Sequence, residues 1–124
     1  MLYYISNQGE IHMGYRSEVT LALRRKAAVL FSTVRARGGA LANLIADADI
    51  GDHSDGSESY SWDHVKWYDS YSCVGAIEAF MDRLDTEDMD EEYRFIRIGE
   101  DTEDTEQRGC GFEIYVSRSI EWYE

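Results

Sequence analysis

The sequence predicts an α+β domain: a mainly antiparallel sheet of about four strands with two principal helices packed on one face, in the order β-α-β-α-β-β. Three observations predict it. Residues Glu18–Leu23 and Phe112–Trp122 alternate apolar and polar side chains with the period of a half-buried strand. Apolar residues recur every three or four positions after Arg24 and again after Ser72, the period of an amphipathic helix. A chain of 124 residues with 44% hydrophobic and 13% aromatic content has the material for one packed core. Residues 1–124 therefore read as a single domain.

Proline is absent, so glycine, polar clusters and charge must set every boundary. Leu2–Ser6 has the composition of a short strand, followed by a turn at Asn7-Gln8-Gly9 and a second stretch at Ile11–Tyr15. In Glu18–Leu23, Val19, Leu21 and Leu23 face one way while Glu18 and Thr20 face the other. Ala27, Leu30, Phe31 and Val34 then form a helical stripe that leaves Arg25, Lys26, Arg35 and Arg37 to solvent. Gly38-Gly39 ends or kinks this helix, and Leu41, Leu44, Ile45 and Ala48 resume the period in a second helical piece.

Gly51–Ser59 contains no hydrophobic residue and reads as a polar loop. Tyr60–Tyr68 reads as an aromatic-rich strand whose alternation is too irregular to assign a buried face. The segment Asp69-Ser70-Tyr71-Ser72 offers N-cap candidates for a helix carrying Val74, Ile77, Phe80, Met81 and Leu84. Thr86–Glu92 reads as an acidic loop, and Tyr93–Ile98 as a strand apolar on both faces, as in the interior of a sheet. Glu100–Gly111 reads as a long acidic turn closed by Gly109 and Gly111, making Tyr93–Trp122 a hairpin.

Charge narrows the function. The chain carries 25 acids and 12 Lys and Arg, a net charge of −13. Residues 1–46 are net +4 and residues 47–124 net −17. A polyanionic surface repels nucleic acid and anionic lipid and attracts basic protein clefts. Direct nucleic-acid binding is therefore not expected, and no apolar run is long enough to span a membrane. The N-terminus lacks a basic region followed by an apolar core, and Cys73 and Cys110 show no disulfide or metal spacing. A cytoplasmic protein with free thiols is expected.

Catalytic and metal motifs are missing. The run Asp47, Asp49, His53, Asp55, Glu58 follows the spacing of a calcium loop, but Gly51 and Asp52 stand where that loop needs a ligand and a glycine. No metal or cofactor is expected. His12, His53 and His64 are widely spaced; Asp63 beside His64 could fix an imidazole tautomer, although a structural role is the simpler reading. Cys110 sits among acids, which oppose thiolate formation. The aromatic group Trp62, Trp67, Tyr68 and Tyr71 has only Lys66 nearby, so it reads as core rather than a stacking platform for bases. The chain reads as a non-enzymatic protein.

The segments GYRSEVTLAL (Gly14–Leu23), VKWYDSY (Val65–Tyr71) and YRFIRIGEDTEDTEQRG (Tyr93–Gly109) together resemble a group of small proteins of unknown activity encoded by tailed phages and prophages. The resemblance covers most of Met13–Trp122. It implies a start at Met13, with residues 1–12 as an N-terminal extension, and it carries no catalytic residue.

On that resemblance, the expected function is a phage accessory protein acting in the host cytoplasm. It would bind a basic, nucleic-acid-handling host protein as an acidic mimic of nucleic acid, for example as an anti-defence inhibitor. The candidate surface comprises Asp82, Asp85, Glu87, Asp88, Asp90, Glu91, Glu92, Glu100, Asp101, Glu103, Asp104 and Glu106. One alternative is a ligand-binding or weakly catalytic pocket built from Arg16, Trp67, Asp69, Arg97 and Glu100. Another is a structural module that self-assembles through its basic first helix.

Overall fold

The computed structural model describes residues 14–101, 103–115 and 120–123. The expectations for residues 1–13 and for Val116–Ser119 lie outside them. The strands are β1 (Ser17–Leu23), β2 (Asp49–Asp52), β3 (Glu58–Val65), β4 (Tyr93–Ile98), β5 (Thr105–Gly109), β6 (Glu113–Tyr115) and β7 (Glu121–Tyr123). The helices are α1 (Arg25–Arg35), α2 (Ala40–Ala46) and α3 (Ser72–Thr86). Strands β1–β5 form one antiparallel sheet in the order β2-β3-β1-β4-β5, and β6 pairs with β7 separately. The α+β class and the antiparallel sheet are as expected. Strands β1–β4 with α1 and α3 follow the connectivity of the split-βαβ, ferredoxin-like arrangement, with α2 inserted after α1 and β5 added beside β4.

Alternation along the strands divides the core. Val19, Leu21 and Leu23 of β1, Tyr60 and Trp62 of β3, and Tyr93 and Phe95 of β4 pack with Phe31, Leu44, Ile77, Phe80 and Leu84 from the three helices. On the opposite face, Ala22, Ile96 and Ile98 pack under Phe112. Arg24 holds that cover in place: its guanidinium lies 4.6 Å from the Phe112 ring centroid and donates to the Gly111 carbonyl.

The helix ends follow backbone chemistry. Gly38 and Gly39 have φ of +72° and +74°, so they break α1 from α2 as the sequence predicts. The expected N-cap of α3 is corrected: Tyr71 holds the cap position without a side-chain cap bond, and Asp69 and Ser70 lie in the preceding turn. The α3 C-terminus closes in a Schellman motif. Asp88 sits at φ +60°, its N–H reaches Asp85 O at 3.2 Å, and Met89 N–H reaches Leu84 O at 2.8 Å.

Three loop expectations are also corrected. The polar Gly51–Ser59 segment is a β2–β3 hairpin, whose tip closes through His53 N–H to Ser57 O at 3.0 Å. The Tyr60–Tyr68 strand stops at Val65 and begins at Glu58. The Glu100–Gly111 turn is shorter than expected, because Thr105–Gly109 folds back as edge strand β5 against β4. Residues 113–115 therefore pair with residues 121–123 and not with β4, so Tyr93–Trp122 is not one hairpin.

Gly109 shows why the return is so tight. Its φ is +78°, and a Cβ there would stand 2.3 Å from Tyr93 O. Gly109→Ala is expected to destabilise by about 2 kcal/mol or more. Leu21→Ala, at the fully buried centre of β1, is expected to cost about 2–5 kcal/mol. Urea unfolding of both variants against the parent checks these values.

Candidate functional site

The sequence holds three runs of carboxylates, of which Asp82–Glu92 borders the β5 edge and Glu100–Glu106 forms the β4–β5 turn and the start of β5. Arg108 of β5 reaches across to α3 and donates to Asp82 and Asp85, each at 2.9 Å. The Tyr93 hydroxyl donates to the other Asp85 oxygen at 2.8 Å. Cys110 N–H donates to Asp90 O at 2.9 Å, tying the chain after β5 to the turn that precedes β4. The end of α3, residues 86–92 and the β4–β5 hairpin therefore form one border of the domain. The third segment, Asp47–Glu58, belongs to β2 and its turn at the opposite edge of the sheet.

Residues 78–108 hold thirteen carboxylates against four arginines, net −9. Arg97 binds Asp104 at 2.7 Å and Glu106 at 3.1 Å, and Arg83 binds Glu87 at 3.4 Å. Burial works against the Arg97 charge, yet its two carboxylate partners hold its pKa above the ordinary range. Asp104 is held below the usual carboxylate range by Arg97 and also accepts from the Tyr15 hydroxyl at 2.6 Å. Asp88, Glu91, Asp101 and Glu103 are exposed and form no ion pair among the described residues. Asp90 is exposed, while Glu92 is half-buried and accepts Arg24 N–H at its carbonyl, 2.8 Å away.

Glu78, absent from the sequence-based surface, reports the crowding. Partial burial raises its pKa first, and the fields of Asp69, Glu106 and Asp82 add to it. Those residues come from α3, β5 and the segment before α3, so their carboxylates share one field. The Glu78–Asp82 spacing of four in a helix was a legible signal of like-charge crowding; the approach of Glu106 was not. Burial, together with Asp90 and Glu91, also raises the Cys110 thiol, which disfavours a nucleophilic thiolate there.

The five residues of the alternative pocket are only partly brought together. Arg16 N–H donates to Glu100 Oε2 at 2.8 Å, and the Arg16 guanidinium donates to His64 O at 3.2 Å. Both acidic-hairpin residues and β1 thus border an open cleft of ≈ 300 Å³, lined by Arg16, Glu18, Asp63, His64 and Glu100 among others. Arg97 lies nearby through Ser17, at 3.2 Å, but its charge is spent on Asp104 and Glu106. Trp67 belongs to the core, 6% exposed and packed on Trp62 and Phe95. Its indole N–H has no hydrogen-bond partner. Asp69 is exposed on the turn before α3.

A β-bulge shapes this cleft. The β1–β3 register shifts between Ser17 and Val19, and His64 takes φ +53° opposite it. A second, wider groove of ≈ 930 Å³ shares Arg16, Asp63 and His64 and continues toward α2 and the start of α3. The sequence offered no signal for the bulge or for Glu18 and Ser17 as cleft walls. Among the described residues no group of three or more His, Cys, Asp or Glu is placed to hold a metal ion. In the calcium-like run, Asp55 instead caps Ser57 and Glu58 accepts from the Tyr60 hydroxyl. No helix among the described residues is long and apolar enough to cross a membrane.

No known protein family matches the chain, and no curated protein or solved structure matches it.

The crowding of Glu78 gives a signed prediction. Its pKa is raised in the fold from the ordinary 4.5, so ionising it costs stability. That cost is fully present above the folded pKa and vanishes below the unfolded one. Glu78→Gln is therefore expected to stabilise the protein at pH 7 by about 0.3–1 kcal/mol. Thermal melts should show the advantage shrinking as pH falls through the raised folded value toward the ordinary 4.5, absent well below it, and shrinking as salt rises.

Proposed function

We propose that the protein works without catalysis, by docking its α3–β5 edge onto a basic, nucleic-acid-binding surface of another protein. The observation that supports this most is the acidic border along α3 and the β4–β5 hairpin, net −9 over residues 78–108, with residues 86–92 at one end of β4 and residues 100–104 at the other. The border is also held in shape. Arg97 and Arg108 cross-link the hairpin to itself and to α3, leaving Asp88, Glu91, Asp101 and Glu103 to face solvent. A pre-ordered array of carboxylates binds without first having to order itself. It resembles a phosphate backbone in sign and density of charge. With the phage-like sequence segments, the reading becomes a phage accessory protein that occupies a host protein's nucleic-acid cleft, as an anti-defence inhibitor would.

The bulged cleft favours a second reading, a small-ligand site at Arg16, His64 and Glu100. A non-glycine residue held at positive φ in a lined cleft is where functional strain is commonly stored. Ligand-induced NMR shifts of the His64 and Arg16 amides, from a screen of small polar molecules, test it; a blank screen removes this reading.

For the principal reading, tagged protein is used to capture partners from host lysate, with parallel washes at low and high salt. One nucleic-acid-binding protein is expected to be retained at low salt and released at high salt. The charge-reversed variant Glu91→Lys, Asp101→Lys, Glu103→Lys should lose it while keeping a native melting curve. Competition by duplex nucleic acid should match that loss. Retention by the reversed variant at low salt would overturn the proposal.

A further inference from the structure

The basic end of the molecule carries a different surface. A groove of ≈ 710 Å³ runs along the start of α1, with Val29, Leu30 and Met89 as its apolar lining and Arg24, Arg25 and Lys26 as its cations. Val29 is 63% exposed, the most exposed large hydrophobic residue of the described chain. Asp55 and Glu92 also border the groove. Asp55 is occupied by the Ser57 amide and hydroxyl, at 3.0 and 2.6 Å. Arg25 and Lys26 form no ion pair among the described residues. In a protein of net −13, this is a local reversal of sign with an aliphatic centre.

The complementary surface exists on the same chain. Ile50 on edge strand β2 is 43% exposed and shares its face with exposed Asp52, on the side of the sheet that carries the helices, while Asp49 lies on the opposite face. An aliphatic side chain beside a carboxylate fits an aliphatic groove bordered by cations. The two surfaces also adjoin. The turn that follows β2 packs on α1, where Arg25 lies against Gly56 so closely that a Cβ at Gly56 would be 2.8 Å from its side chain. One continuous patch therefore carries both halves of the match, which is the requirement for a self-complementary two-fold contact.

We propose that the α1 groove is a dimer interface whose occupant is the β2 strand of a second copy. Ile50 of each protomer packs against the Val29 and Met89 of its partner, and Asp52, on the same face, meets Arg25 and Lys26. β2 is the sheet edge opposite β5, so the dimer presents two acidic borders. That inference is independent of what those borders bind.

Salt alone is a poor test, because it screens both the local attraction and the mutual repulsion of two anionic chains. A charge-swap pair separates them. Sedimentation velocity of the full chain is run at one moderate ionic strength. The parent is expected to dimerise, and Val29→Glu should be monomeric. Arg25→Glu/Lys26→Glu alone should weaken self-association by about 100-fold or more, and Asp52→Lys alone by about 10-fold or more. An equimolar mixture of the two should restore the dimer, since each groove then meets a strand of opposite sign. Unchanged melting curves would show that every variant folds. A parent that is monomeric at its highest soluble concentration overturns the proposal. So does a mixture that stays monomeric, or a dimer that survives both single-sided variants.

Discussion

β1 lies between β3 and β4 and exchanges backbone hydrogen bonds with both, and nearly all of its side chains are buried. That double commitment constrains everything else in the domain. Val19, Leu21 and Leu23 demand cover from the helices, while Ala22, joined by Ile96 and Ile98, demands it on the opposite face. A sheet covered on both sides needs more chain than one helical layer supplies. The segment around Phe112, pinned by Arg24, provides it. Arg24 also donates its backbone N–H to Glu92 O. The residue that joins β1 to α1 thus fixes both the entry to β4 and the cover of the second core.

With β1 central, β2 and β5 are the edges of the sheet, and the acidic runs lie on and beside them, in the turns and at the end of α3. The arginines are not distributed with the acids at random. Arg97 on β4 and Arg108 on edge strand β5 each face two carboxylates, with their side chains 16% and 22% exposed. Surface ion pairs contribute little singly, but a guanidinium shared between two carboxylates from different segments sets their relative position. Asp82 and Asp85 of α3 are fixed to β5 in this way. Removing Arg108 would therefore loosen the geometry of the border more than it would alter its charge.

What was legible in the sequence follows from burial. β1, α1, α3 and β4 each have a face that must be apolar, so their periods survive in Leu21, Phe31, Ile77 and Phe95. β2 reads DIGD and β5 reads TEQRG. As edge strands they bury little, so they carry no alternation, and residue composition alone made them loops. β6 and β7 were read as one long strand because Phe112, Ile114 and Trp122 alternate. The fold pairs β6 with β7 as two separate strands, and Gly111, just before them, donates its N–H to Tyr93 O at 2.8 Å. The candidate acids were readable as residues. Their grouping was not, since it depends on long-range pairs such as Arg108 with Asp82, whose spacing of 26 has no local signature. The cleft at His64 was equally hidden, because a bulge is a relation between two strands.

The acids on β5 answer a hazard before they serve any partner. An edge strand offers unpaired backbone groups to any other edge, and charge is a common means of preventing that. Carboxylates at Asp101 and Glu103 in the turn before β5, and at Glu106 on it, repel a second β5, and under the proposed function the same residues would meet the basic surface. β2 is different: its Asp52 shares a face with the exposed Ile50, and the same chain carries cations that match it. Repulsion between like edges then disfavours β2 pairing with β2, and in the proposed dimer the α1 groove is the surface where its charge is neutralised. One charge pattern, placed on two edges by a single strand order, thus separates the surface proposed for a basic partner from the one proposed for the protein's own copy.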